Sequence, residues 1–251
     1  MLRNLLLVGL VAGLCGGVVA TGFAVVAGEP AIDAAIAYEA ANAAPAHDRG
    51  EASAPPVTRS LQKSAGLLTA LAVYGLAVGG IFALVFSFAY GRMGRASPRT
   101  TAYWLAGAAF VCVFLVPFVK YPATPPAVGD PDTIGERTGL YVTMIAISVL
   151  AAVAAVGLRP LLARRVDGHA AILGALLAYA VVVVAAAVAL PGIHEIPADF
   201  PAAALWRFRE ATLGLHAVMW LTIGPLFAYG AQRVMTGQSL VPRGVLRPAT
   251  R

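Results

Sequence analysis

Two proline-broken stretches hold most of the side chains that could do chemistry. The first, Lys120 to Thr138, places Pro122, Pro125, Pro126 and Pro131 within ten residues. Proline removes a backbone donor and forbids a regular helix. The stretch therefore reads as stiff and extended, with carbonyls free to face water or a cation. At its end Arg137 and Tyr141 share a helix face at i, i+4. The second, Pro191 to Pro201, gathers His194, Glu195 and Asp199. An imidazole with two carboxylates suits a divalent transition metal of borderline softness. No His-x3-His, Cys-x2-Cys or His-rich tract accompanies them, so the metal signature is thin. Glu195, bracketed by Pro191 and Pro197, is expected to matter more than His194, because hard oxygen donors hold an ion weakly enough to release it. The plainer alternative is a pair of rigid connectors with solvated side chains.

Glu29 and Asp33 add two acids after the first apolar run, where Pro30 suggests the opening turn of a short helix. Together with His194, Glu195 and Asp199 they are the candidate ligands of an external cation-collecting vestibule. His216 lies inside the last apolar run, seven residues after Arg209 and so on the same helix face. Ionisable groups at membrane depth usually face a bundle interior or a wet cavity. Either His216 lines a polar transport path with Lys120, Arg137, Tyr141, Arg209 and Glu210, or it is a neutral imidazole bonded to a neighbouring helix.

The elements that must position these residues follow from composition. Apolar types make up 59% of the 251 residues and charged types 12%, with a mean hydropathy of +0.79. A soluble domain has about 25% charged residues; this chain cannot coat itself for water and must use lipid as its main solvent. Six apolar stretches approach the about 20 residues needed to cross a bilayer: 5–27, 65–90, 102–119, 139–158, 170–190 and 211–231. They are continuous, without period-two alternation, so helices and not strands are expected. The expected fold is all-α, a polytopic bundle of six transmembrane helices forming one domain over 1–235. A partly helical, partly flexible external loop occupies 28–64, and a disordered cytoplasmic tail 236–251. His47 in the loop reads as a solvated histidine.

Loop charge sets the orientation. Arg3 with segments 91–101, 159–169 and 232–251 carries 11 Lys/Arg and one acid, Asp167, whereas 28–64, 120–138 and 191–210 carry 7 Lys/Arg and 11 acids. The first group is therefore net +10 and the second −4. The positive-inside rule places both termini in the cytoplasm and the acidic loops outside. The formal net charge of +6 is thus spent on topology, which sets aside nucleic acid as a partner. Span one could be a cleaved signal peptide, since Arg3 and Val25-Val26-Ala27 fit one. Its 23 apolar residues exceed a signal core, however. Gly9, Gly13 and Gly17 also form a stripe of the kind that lets membrane helices approach closely, repeated more weakly by Gly75 and Gly79. Retention of the span is expected. Cys15 and Cys112 both lie in apolar runs and do not suggest a disulfide framework.

The chain carries no phosphate-binding loop, nucleophile elbow or metalloprotease motif, and its histidines are badly spaced for bis-histidine haem. It is not expected to be an enzyme or to need a cofactor. Taken together, Gly28-Glu29-Pro30, the run Lys120-Tyr121-Pro122 to Pro126, Gly129-Asp130-Pro131 with Arg137-Thr138 and Tyr141, and Leu190-Pro191 with Glu195, Pro197, Phe200-Pro201 and Phe208-Arg209 resemble the CbtA family. These are integral membrane proteins proposed as cobalt-transporter subunits. The resemblance covers nearly the whole chain outside 44–58 and the tail. It implies cobalt uptake across a bacterial plasma membrane, linked to cobalamin synthesis, with a small single-span partner of the CbtB type. It carries no ligand set. A divalent-cation transporter subunit is the leading expectation, with Co2+ as the transported ion. A scaffold or sensor without transport of its own, or a membrane-embedded enzyme, are the alternatives.

Overall fold

The computed structural model describes residues 1–42, 58–92, 94, 96–126 and 128–238. His47, most of the external linker and the tail beyond 238 lie outside them. Among the described residues there is no strand, and six helices are long and apolar enough to cross a membrane. They are α1 Leu2–Asn42, α2 Arg59–Ala89, α3 Pro98–Lys120, α4 Pro131–Leu162, α5 Gly168–Ala189 and α6 Ala202–Met235. The all-α, six-span expectation is met. Large apolar side chains such as Val153, Leu173 and Val188 are exposed, as lipid requires and water would penalise.

Several helices run past their apolar cores. The sequence suggests a fresh helix at Pro30, yet α1 continues through it without a break. The accommodation is a wide turn at Ala24–Gly28, where the Glu29 N–H reaches back five residues to the Ala24 carbonyl. A turn of this kind loosens the hydrogen-bond ladder just before a residue that has no donor. The same device precedes Pro117 in α3: the turn Phe110–Leu115 ends with the Val116 N–H on the Val111 carbonyl. Helix α4 likewise begins earlier than the apolar pattern indicates. Asp130 accepts the Asp132 N–H and caps a short 3-10 turn, Pro131–Thr133, that feeds Ile134.

The chain divides into two compact units: Met1–Glu29, Ala44–Ala108 and Gly214–Arg251 in the first, Pro30–Ala43 and Ala109–Leu213 in the second. In the first, α1 and α2 meet along the glycine stripe. A methyl group at Gly9 would overlap the Gly79 carbonyl oxygen, one at Gly13 that of Gly75, and one at Gly17 that of Leu71. Backbone therefore lies directly on backbone, an approach that only small residues permit. Leu5, Phe82, Phe86, Met219, Ile223 and Phe227 fill the core around this seam. The Phe82 and Phe227 rings meet edge-on, with centroids 4.9 Å apart. Span one is thus integral to the packing of its unit. Cys15 and Cys112 are both free.

In the second unit, Ala35 and Tyr38 pack with Val128, Phe200 and Ala204. The Tyr38 and Phe200 rings are edge-to-face at 4.9 Å. At membrane depth the Tyr179 hydroxyl lies 2.9 Å from that of Ser148 and 3.5 Å from the Cys112 sulfur, joining α5 to α4 and α3. Each polar atom finds a partner that lipid could not supply.

Candidate functional site

The two proline-rich stretches meet in the second unit. Tyr121 donates its hydroxyl to the Pro191 carbonyl at 2.9 Å, and Lys120 Nζ donates to the Leu190 carbonyl at 2.9 Å. Lys120 ends α3 and so satisfies a carbonyl left open where α5 stops. Burial raises the Tyr121 phenol above its ordinary value, which keeps it a donor.

Glu195 is the centre of the junction. Its Oε2 lies 3.3 Å from Arg137 Nε and accepts the Asp130 N–H at 3.1 Å; its Oε1 accepts the Thr133 hydroxyl at 2.7 Å. Arg137 also donates from Nη2 to the Asp130 carbonyl at 3.0 Å. The ion pair is a close approach of charges without an aligned Nε hydrogen bond, because Nε itself has no hydrogen-bond partner among the described residues. Gly129 turns the chain over this pair at φ 106. A side chain there would be strained and would meet Arg137 Nη1 and Glu195 Oε2.

Above the junction is a cavity of about 400 Å3, lined by Lys120, Tyr121, Arg137, Tyr141, Glu195 and Arg209 among others. Ile134, Ile193 and Ile196 give it apolar wall. Arg137 and Tyr141 do share a face, as their spacing predicts. Arg209 donates from Nε to the Ala123 carbonyl at 3.4 Å, and its guanidinium lies over the Trp206 ring at 5.7 Å. The loop carbonyls expected to be free for a cation are thus in part taken by guanidinium groups. This cavity brings together Lys120, Arg137, Tyr141, Glu195 and Arg209 of the sequence candidates.

The remaining candidates lie elsewhere. Glu29 belongs to the first unit and is buried, 2.6 Å from Arg59 Nη2 and 3.8 Å from Lys63 Nζ. Two cations from the start of α2 neutralise it, as a buried carboxylate requires. Asp33, His194 and Asp199 are exposed. Glu210 is exposed. His216 lies in the first unit, edge-to-face with Tyr74 at 6.3 Å, and is not on the cavity wall. Among the described residues no three His, Cys, Asp or Glu side chains come together as a metal cage.

Sequence reasoning did not single out Thr133, Asp130 or Tyr121 as organisers of the junction. The one available signal was Asp130-Pro131 ahead of an apolar run, the pattern of a helix start.

Comparison with known proteins gives one match. No curated protein and no solved structure matches the chain. The family model described as probable cobalt transporter subunit (CbtA) matches residues 2–232. That range takes in all six helices nearly to the end of α6, along with both proline-rich stretches and the cavity between them, and so the chain belongs to the CbtA family.

Proposed function

We propose that this protein is the membrane-embedded subunit of a Co2+ uptake system in a bacterial plasma membrane, with both termini cytoplasmic and a small single-span partner of the CbtB type. The observation that carries the reading is the family match over residues 2–232 of a chain with six membrane-length helices. Inward movement of a cation is favoured by about 2.3 kcal/mol per charge per 100 mV of membrane potential, so uptake needs no nucleotide-binding fold in this chain. The exposed Asp33, His194 and Asp199 are the proposed points of first contact with the metal. Glu29 and Glu195, each held by an arginine, act by positioning the segments around them.

The test is metal accumulation in cells with and without the chain, across Co2+, Ni2+, Zn2+ and Mg2+. Co2+ accumulation should rise with the chain present and the others should not. Uptake by liposomes holding the chain alone then separates a transporter from a scaffold or sensor. Unchanged Co2+ accumulation in cells that carry both the chain and its partner would overturn the reading.

A further inference from the structure

We infer that the cavity between the two proline-rich stretches is an anion site, which takes a small oxyanion of the carboxylate or phosphate class. This does not depend on cobalt being the transported ion. Three cations, Lys120, Arg137 and Arg209, line the cavity against one carboxylate, Glu195. That carboxylate is already engaged by Arg137, Asp130 and Thr133. Among the described residues neither Lys120 nor Arg209 has a carboxylate within ion-pair distance.

The donors are available as well as charged. Arg209 commits Nε to the Ala123 carbonyl, which leaves the two Nη groups of a planar fork that matches carboxylate and phosphate geometry. Lys120 commits one N–H of three to Leu190. Neither side chain can accept a hydrogen bond or ligate a metal while charged. A bare divalent cation would meet net positive potential here, whereas an oxyanion would offset it in a partly water-excluded space. At about 400 Å3 the cavity admits a molecule larger than a simple inorganic ion, and Ile134, Ile193 and Ile196 offer its carbon skeleton an apolar wall.

The oxyanion has two possible sources, a free solute or the headgroup of an anionic lipid, and the experiment distinguishes them. The purified chain is placed in nanodiscs of phosphatidylcholine and titrated with metal-free citrate and with inorganic phosphate by calorimetry. In a parallel arm, melting is compared between phosphatidylcholine discs and discs containing phosphatidylglycerol. Citrate binding that Arg209→Gln weakens by about tenfold or more, the worth of a charge-assisted hydrogen-bonded contact, at unchanged melting temperature supports a free oxyanion. Stabilisation by phosphatidylglycerol that Arg209→Gln abolishes, without citrate or phosphate binding, supports the headgroup. Lys120→Gln gives the same comparison should Arg209→Gln fail to fold. No binding and no lipid response in the wild type, or equal responses in wild type and variants, overturns the inference.

Discussion

Arg137 Nε stands 3.3 Å from Glu195 Oε2, and this contact ties the first turns of α4 to the loop that precedes α6. Both side chains are about four-fifths buried, at 23% and 21% relative exposure. Removing one partner leaves the other charge poorly solvated, which costs more than an exposed pair ever contributes. Glu195→Gln keeps the size and loses the charge. It should lower stability by about 1–3 kcal/mol, measured as a fall in melting temperature in detergent. The double variant Arg137→Gln/Glu195→Gln should fall by less than the sum of the two singles. Additive losses would show that the two side chains do not interact.

The same substitution separates positioning from ligation in transport. If Glu195 acts through the junction, Glu195→Gln lowers Co2+ uptake together with melting temperature, and His194→Gln is milder on both. A loss of uptake at unchanged melting temperature would make Glu195 a direct contact of the ion instead.

Helix α4 depends on its cap. Asp130→Ala removes the acceptor of the Asp132 N–H and should cost about 1 kcal/mol, the usual worth of an N-cap. Hydrogen exchange should then rise at the amides of residues 132–136, with those near Met144 unaffected. Uniform exchange along α4 would show that the cap does not hold the helix start.

The glycine seam sets a steric limit. Gly13→Leu must push the Gly75 carbonyl away, so the yield of folded protein in detergent should drop sharply. Gly22→Ala, a position where an added methyl meets nothing within 4 Å, should leave yield and melting unchanged. Equal tolerance of both would mean that α1 and α2 are not in backbone contact.

The proposed orientation is open to labelling. In a background with Cys15 and Cys112 replaced by alanine, a cysteine at Ala198 should react with a membrane-impermeant maleimide in intact cells. One at Ser97 should react only after lysis. The opposite pattern would place both termini outside.

How much of this was legible in the sequence depends on the range of the interaction concerned. Whether a segment crosses a bilayer is a local property, the length of an apolar run, and so the six helices followed from composition alone. The close approach at Gly9, Gly13 and Gly17 was equally local, because a step of four puts them on one helix face and only small residues let backbones touch. Helix ends were less legible. Segments 29–42, 134–138 and 202–210, where charged residues interrupt the apolar pattern, extend helices beyond their apolar cores, and an apolar run does not mark their ends. The state of the acids was not legible at all. In sequence Glu29 and Glu195 read as candidate ligands for a cation, with nothing to show that either is already paired. What each one does depends on partners brought from far along the chain: Arg59 is 30 residues from Glu29, and Thr133 is 62 from Glu195. Only the tertiary structure decided that these two are neutralised while Lys120 and Arg209 face a cavity whose one lining acid among the described residues, Glu195, is already engaged by Arg137. The physical reason is that a charge is assigned by residue type, but a potential is the sum over whatever the fold places around it.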